Sequence, residues 1–370
     1  MQPGYRTRFG PGFGTLRAGK LLAERLSKHY SVRVADLVTD RHHILRLWRF
    51  ITSPTAPDGR KLDWFYILNP AGRGTIYLLW HDPTDTAVGI ACAGRRDILI
   101  DKSIVRGAVC GDLVIDPAHR AIGPALRFRK FVLDHLKDQF DLFYAFPNER
   151  VVKAIAVAGP DFEHELFSMV LPLRITDYLQ RHIPKALASV LGAPAQLVLD
   201  LILRGRAPGR ISEYVRTTPD DSFFDTLWEG VSANPGSIGV RDSSFLKWRL
   251  QQHPSADFSV FGAACSDGSP AAYIAYQIDS DKRVRIVDVL ARDDAAFEAC
   301  TRMFVDEMRK SGVPSVSVRK ATEPAARLRF LKRLGFVISE RSKGFVFGNG
   351  AVCQNLAKEL LYLNAVDSDV

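Results

Sequence analysis

Landmarks that return at a nearly constant distance constrain this chain more than any other feature. Asp40 with Leu47-Trp48 recurs as Asp220 with Leu227-Trp228, 180 positions on (228 − 48). Leu62-x-Trp64 with Pro70 recurs as Leu246-x-Trp248 with Pro254, 184 positions on (248 − 64). Apolar runs of strand character match at the same offset, 75–80 against 259–264 and 87–91 against 271–275, and Gly159 returns as Gly335, 176 positions on (335 − 159). Register held over these landmarks with only small insertions reads as one unit written twice. A chain of 370 residues has room for two domains of common size, each burying a proper core.

Within the first copy, residues 111–115 form an apolar run of β character that ends at Asp116-Pro117. An Arg120-x-x-Gly123-x-Ala125 turn follows, and Pro124 falls in the first turn of a helix that continues to Lys137. Such a turn aims consecutive backbone N–H groups and the positive end of a helix at one spot, and Arg120 adds a fixed charge beside it. Residues 140–147 read as a buried aromatic strand, and residues 148–159 as a helix capped by Asn148 and ended by Gly159. At the matching place in the second copy, Arg292-Asp293-Asp294-Ala295-Ala296-Phe297-Glu298 has no glycine and sets carboxylates where an anion would need donors.

The order strand, Arg-x-x-Gly-x-Ala turn, helix, strand, helix resembles the acyl-CoA-binding segment of the GNAT acyltransferases, with Arg120, Gly123 and Ala125 in the motif's three places. Pro124 departs from the pattern, since it has no N–H to give a pyrophosphate. The resemblance implies an α/β (α+β) fold of two GNAT-like domains. Each would be a mixed, mostly antiparallel sheet flanked by helices, with its fourth and fifth strands splayed, and a helical linker would join them. The expected boundaries are a basic extension over 1–28, the domain with the motif over 29–175, an apolar helical linker over 176–208 and a degenerate domain over 209–370. The resemblance also implies acetyl-CoA or another acyl-CoA as co-substrate, held by Val114, Ile115, Arg120, Ala121, Ile122, Gly123, Ala125 and Asn148.

In the implied chemistry an amine, such as that of an amino sugar or glycan precursor, attacks the thioester directly. Tyr144 falls where the family often places the residue that protonates the leaving thiolate. For the base, Asp112 is a candidate: strand alternation sets it on the same face as Val114 and leaves open which face that is. Two rival functions are a Fem-like aminoacyl transferase that uses charged tRNA, and a CoA-binding protein of the same fold without turnover.

Composition bears on partners. The net charge of +9 is spread along the chain and no nucleic-acid reader motif accompanies it, so an anionic small molecule is the expected partner rather than nucleic acid. Five cysteines lack disulfide or metal spacing, and His42, His43 and His81 lack partners at ligand spacing, so a reducing compartment and no metal are expected. Residues 1–28 have no continuous apolar core of the kind a signal peptide carries. Residues 183–203 are apolar but broken by Lys185, Pro194, Gln196 and Asp200. They are expected to brace the domains, or to touch a membrane peripherally from the cytoplasmic side. The matched Trp64 and Trp248 point to packing common to both copies.

Overall fold

Runs such as Thr75-Ile-Tyr-Leu-Leu-Trp80 and Ala271-Ala-Tyr-Ile-Ala275 carry apolar side chains on successive residues, a pattern that is stable only in strands covered on both faces. The computed structural model buries them in this way, with residues 76–80 and 271–275 all under a tenth exposed. The structure describes residues 28–51, 59–156, 158–174, 183–184, 187–188, 191–192, 194–198, 213–234, 236–322, 324–356 and 361–368. The basic extension, apart from Lys28, and much of the 183–203 segment lie outside them. Among the described residues, no helix is long and apolar enough to cross a membrane.

The chain forms two compact units. The first gathers the described residues up to Gly59, then 75–93 and 112–139. It contains β1 (Tyr30–Val34), α1 (Arg41–Trp48), β2 (Thr75–His81), the first half of β3 (Thr86–Ile100), the end of β4 (Ser103–Ile115) and α2 (Ile122–Gln139). β2 pairs antiparallel with both β1 and β3, with Val32 opposite Leu79 and Tyr77 opposite Ala91. Ile44, Leu47, Ile76, Leu78, Phe128 and Leu136 fill its core. Gly89 sits at a close approach: a Cβ there would stand 3.0 Å from Leu79 Cβ and 3.2 Å from Ile115 Cγ1, so a larger residue fits only if these side chains give way by a few tenths of an ångström.

The second unit holds residues 60–74, 94–111 and everything described from Phe140 onward. Its further elements are β5 (Leu142–Ala145), α3 (Glu149–Ala156), β6 (Phe162–Pro172), β7 (Tyr214–Thr217), α4 (Asp221–Ser232) and β8 (Ser237–Gly239). They continue with β9 (Ser259–Cys265), β10 (Pro270–Ile278), β11 (Val284–Ala291), α5 (Asp294–Lys310) and β12 (Ser315–Ala321). Last come α6 (Ala325–Leu334), β13 (Val337–Gly348), α7 (Gly350–Leu356) and β14 (Leu361–Tyr362). The sheet runs β4-β5-β13-β6-β12-β11-β10-β9-β7, antiparallel except at β4–β5 and β11–β12. Over 214–348 the strands and helices follow an order similar to that over 30–172, with β8 and a short helix at Ser243–Leu246 added.

The strands of that sheet exchange partners between the two series. The last strand of each series pairs with the other series: β13 lies against β5, and β6 against β12. β6 and β13 then pair antiparallel with each other, from Val170↔Val337 to Phe162↔Val346. Strands of 142–172 and of 284–348 thus share one continuous sheet within the second unit. Neither series completes its sheet alone.

The two matched tryptophans sit on single π-helical turns, Leu62–Ile67 and Lys247–Gln251. Trp64 Nε1 donates to the carbonyl of Trp248 at 3.0 Å, Trp248 Nε1 donates to the carbonyl of Trp64 at 2.9 Å, and the indoles stack 4.9 Å apart. A buried indole N–H needs an acceptor, and each turn supplies the other's. Replacing Trp248 with Phe keeps an aromatic side chain but loses one bond, and is expected to lower unfolding free energy by about 1 kcal/mol in urea titrations.

Beside this pair, His253 contacts Trp64 with ring centroids 4.4 Å apart. Burial, then the charges of Arg249 and Lys61, lower its pKa from 6.5 to about 4. The unfolded chain therefore binds more protons than the folded one between those two values, and stability rises with pH across that window and falls on acidification. Urea midpoints between pH 4 and pH 6.5 are expected to show a smaller slope in His253→Phe than in the parent.

Candidate functional site

β4 ends because Pro117 has no N–H for a ladder. Its departure is fixed by Asp116, whose N–H donates to Val88 O at 2.8 Å and whose side chain accepts from Ala118 N at 3.0 Å. A 3-10 turn over Pro117–His119 follows, and Ala121 N donates to His119 O at 2.8 Å. Ile122 then opens α2, Gly123 and Pro124 are buried, and the first turn carries no acidic residue. Arg120 is exposed, and its Nε donates to Ile115 O at 2.8 Å. That bond folds the guanidinium back against the end of the strand. His119 is braced from the other side by the Tyr30 hydroxyl, 2.9 Å from its Nδ1.

The turn thus gathers Val114, Ile115, Arg120, Ala121, Ile122, Gly123 and Ala125 at one corner of the first unit, under the N-terminus of an 18-residue helix. A long helix that starts without a carboxylate keeps its positive end available for an external anion.

At the matching turn of the second series that end is already satisfied. Asp293 accepts from Ala296 N at 2.8 Å, Asp294 lies in the first turn of α5, and Arg327 pairs with Asp294 at 2.8 Å. The carboxylates neutralise what an anion would bind.

Asp112 has φ +50° inside β4, a left-handed conformation that an aspartate tolerates better than most residues. A left-handed residue interrupts the pleat, so strand alternation alone does not fix the face its side chain shares.

Tyr144 and Asn148 belong to the second unit. Asn148 is exposed just before α3, and its carbonyl accepts from Val151 N at 3.1 Å and Val152 N at 3.2 Å. The pairing of β4 with β5 stops one residue past Tyr144, at Cys110↔Ala145. Tyr144 is 1% exposed and donates its hydroxyl proton to Asp367 O at 2.9 Å. Burial first, and the nearby Asp367 charge second, push its pKa well above the usual phenol value. The proton that a general acid would give up is therefore held in a bond to the backbone.

Tyr144 touches the edge of a polar cluster that the sequence did not announce. Arg241 is fully buried and binds Asp367 at 2.6 and 2.9 Å and Asp288 at 2.9 Å. Arg96 binds Asp367 at 3.0 and 3.2 Å, and its guanidinium lies 3.7 Å over the Phe245 ring. Tyr273 and Asn364 each donate to Asp288 at 2.6 Å. Burial opposes the charge on Asp367, but Arg241 and Arg96 outweigh it and hold the carboxyl below its ordinary range. The one sequence signal was a pair of charges inside apolar strand runs, Arg96 and Asp288.

No protein-family model matches the sequence, and no curated protein does. Solved structures match the fold. A GCN5-related N-acetyltransferase from Anabaena variabilis superposes with a TM-score of 0.59 at 12% identity, over 86% of this chain and 72% of that one. The chain has the GCN5-related N-acetyltransferase fold. A conserved protein of unknown function from Enterococcus faecalis, named a probable N-acyltransferase, gives a TM-score of 0.58 at 14% identity over 86% and 72% of the two chains. Eis1 from Mycobacterium abscessus gives 0.53 at 12% identity over 86% and 73%.

Proposed function

We propose that the protein is a CoA-dependent N-acyltransferase that moves an acyl group, acetyl in the simplest case, from acyl-CoA to an amine. One observation carries this: on an N-acetyltransferase fold, the turn from Arg120 to Ala125 presents a helix N-terminus whose first turn holds no acidic residue and an exposed guanidinium at the end of β4, while its counterpart at Arg292–Ala296 is closed by its own carboxylates. The first series is accordingly the acyl-CoA-binding copy and the second a copy that has lost that site. The structural neighbour named a probable N-acyltransferase supports the reaction class.

In the proposed reaction the CoA pyrophosphate lies on the turn, and a backbone N–H at Val114 or Ile115 stabilises the oxyanion as the amine adds to the thioester carbonyl. The C–S bond then breaks and CoA leaves as the thiolate. The amine must lose a proton, and Asp112 is the carboxylate on this strand that could take it. Tyr144 could protonate the thiolate only by giving up its bond to Asp367.

A thiol-release assay with acetyl-CoA and a panel of amines and amino sugars tests the proposal. Acceptor-dependent release supports it, and release by no acceptor contradicts it. In the same assay Asp112→Asn keeps a residue suited to the left-handed position and deletes the charge. Slower turnover is the expected result, and unchanged turnover removes Asp112 from the chemistry.

A further inference from the structure

The second parallel strand pair opens as the first does, and its opening is filled. β11 and β12 pair only from Val284↔Val316 to Ile286↔Val318, although β11 runs on to Ala291 and β12 to Ala321. Residues 361–368 bridge the two diverging strands. On the β12 side, Thr322 N donates to Leu363 O at 2.8 Å, and the Thr322 hydroxyl donates to Leu361 O at 2.9 Å while accepting from Leu363 N at 2.7 Å. On the β11 side, Tyr362 donates to Val289 O at 3.3 Å and Asn364 donates to Asp288 Oδ1 at 2.6 Å. β14 also pairs in parallel with β8, Leu361 opposite Ser237 and Tyr362 opposite Ile238. What space remains is a cavity of about 10 Å³ lined by residues that include Val287, Val318, Tyr362 and Asn364, room for about one water.

These are the contacts of a bound peptide. Thr322 satisfies the backbone of Leu361 and Leu363, the side chains of Tyr362 and Asn364 reach β11, and Leu361, Leu363 and Val366 are buried to 0, 1 and 4% exposure as apolar anchors. The end is locked by charge: a turn in which Asn364 and Asp367 cap each other delivers the Asp367 carboxylate to Arg241 and Arg96. We infer that the β11/β12 gap is a groove for an extended peptide, occupied in cis by this chain's own residues 361–368, which close it to any other ligand. The same segment offers the Asp367 carbonyl to Tyr144 on β5, so one peptide both fills the second gap and holds a hydroxyl at the first strand pair. The inference stands apart from the proposed acyl transfer, because it concerns what fills the second gap and not what binds at Arg120.

Two measurements on the full chain test it. In hydrogen exchange on the unaltered protein, the amides of Leu363, Asn364 and Asp367 are expected to be protected as strongly as those of β11; exchange at the rate of a free peptide would overturn the inference. In a full-length Leu363→Ser, Asp367→Asn variant, which alters the segment and leaves the groove intact, a fluorescent synthetic peptide of residues 359–370 is expected to bind, while the unaltered protein, its groove occupied, does not take it. A peptide carrying Asp367→Asn is expected to bind that variant about tenfold more weakly, the loss of one charged lock. Equal uptake of the native peptide by both proteins, or none by a variant whose 361–368 amides exchange freely while those of β11 stay protected, would contradict it.

Discussion

Replacing Asp367 with Asn is expected to lower the unfolding free energy of the second unit by about 3–5 kcal/mol, because it leaves Arg241 and Arg96 buried with too little negative charge to answer them. Arg241 has 0% exposure and Asp367 1%, so water cannot relieve the imbalance. The loss includes more than one ion pair: the Asp367 carboxylate accepts from two guanidinium groups and from Asn364 N at 3.1 Å. The effect should appear as a lower urea midpoint with an unchanged slope. It should also depend on pH in one direction. Asp367 has its folded pKa lowered, so its contribution is fully present above the ordinary carboxylate range and is lost as pH falls through the lowered value. The Asn variant should show less of this acid-side slope than the parent. A replacement of the whole cluster by apolar residues of similar volume need not be destabilising, since the penalty lies in the unpaired charge and not in the absence of a salt bridge.

Arg120→Glu is expected to weaken acetyl-CoA binding about 10- to 100-fold while leaving the unfolding midpoint nearly unchanged. The magnitude follows from losing a charge-assisted hydrogen bond to a phosphate, worth about 1.5–3 kcal/mol, with repulsion added. The small stability cost follows from exposure: Arg120 lies at the surface, where its Nε donates to Ile115 O. Because the interaction is with a phosphate, raising the salt concentration should narrow the difference between parent and variant. Arg120→Lys should fall between them, since an ammonium supplies charge without the guanidinium's planar fork or its bond to Ile115.

Much of the architecture was legible because local patterns carried it. The matched Trp64 and Trp248 marked two turns that pack on each other, and the apolar runs at 75–80 and 259–264 gave β2 and β9. The turn at Arg120–Ala125 was visible because proline, glycine and a strand end punctuate it within a few residues. The missed features depend on contacts distant in sequence. Nothing in the composition of β6 and β13 says which copy each will pair with, since either edge of a diverging sheet satisfies the same apolar alternation. Arg96, Arg241, Asp288 and Asp367 share no spacing and meet only in the folded chain. The left-handed Asp112 sits in an otherwise ordinary β run, where nothing local distinguishes it from the alternating residue it was expected to be.

The account rests on the turn at Arg120 as a cradle for the phosphates of CoA. Calorimetric titration of acetyl-CoA into the parent protein and into Arg120→Glu addresses it directly. The structure predicts saturable binding by the parent, weakened about 10- to 100-fold in the variant. Absence of binding to the parent at millimolar ligand, or identical affinity in the two proteins, would contradict it.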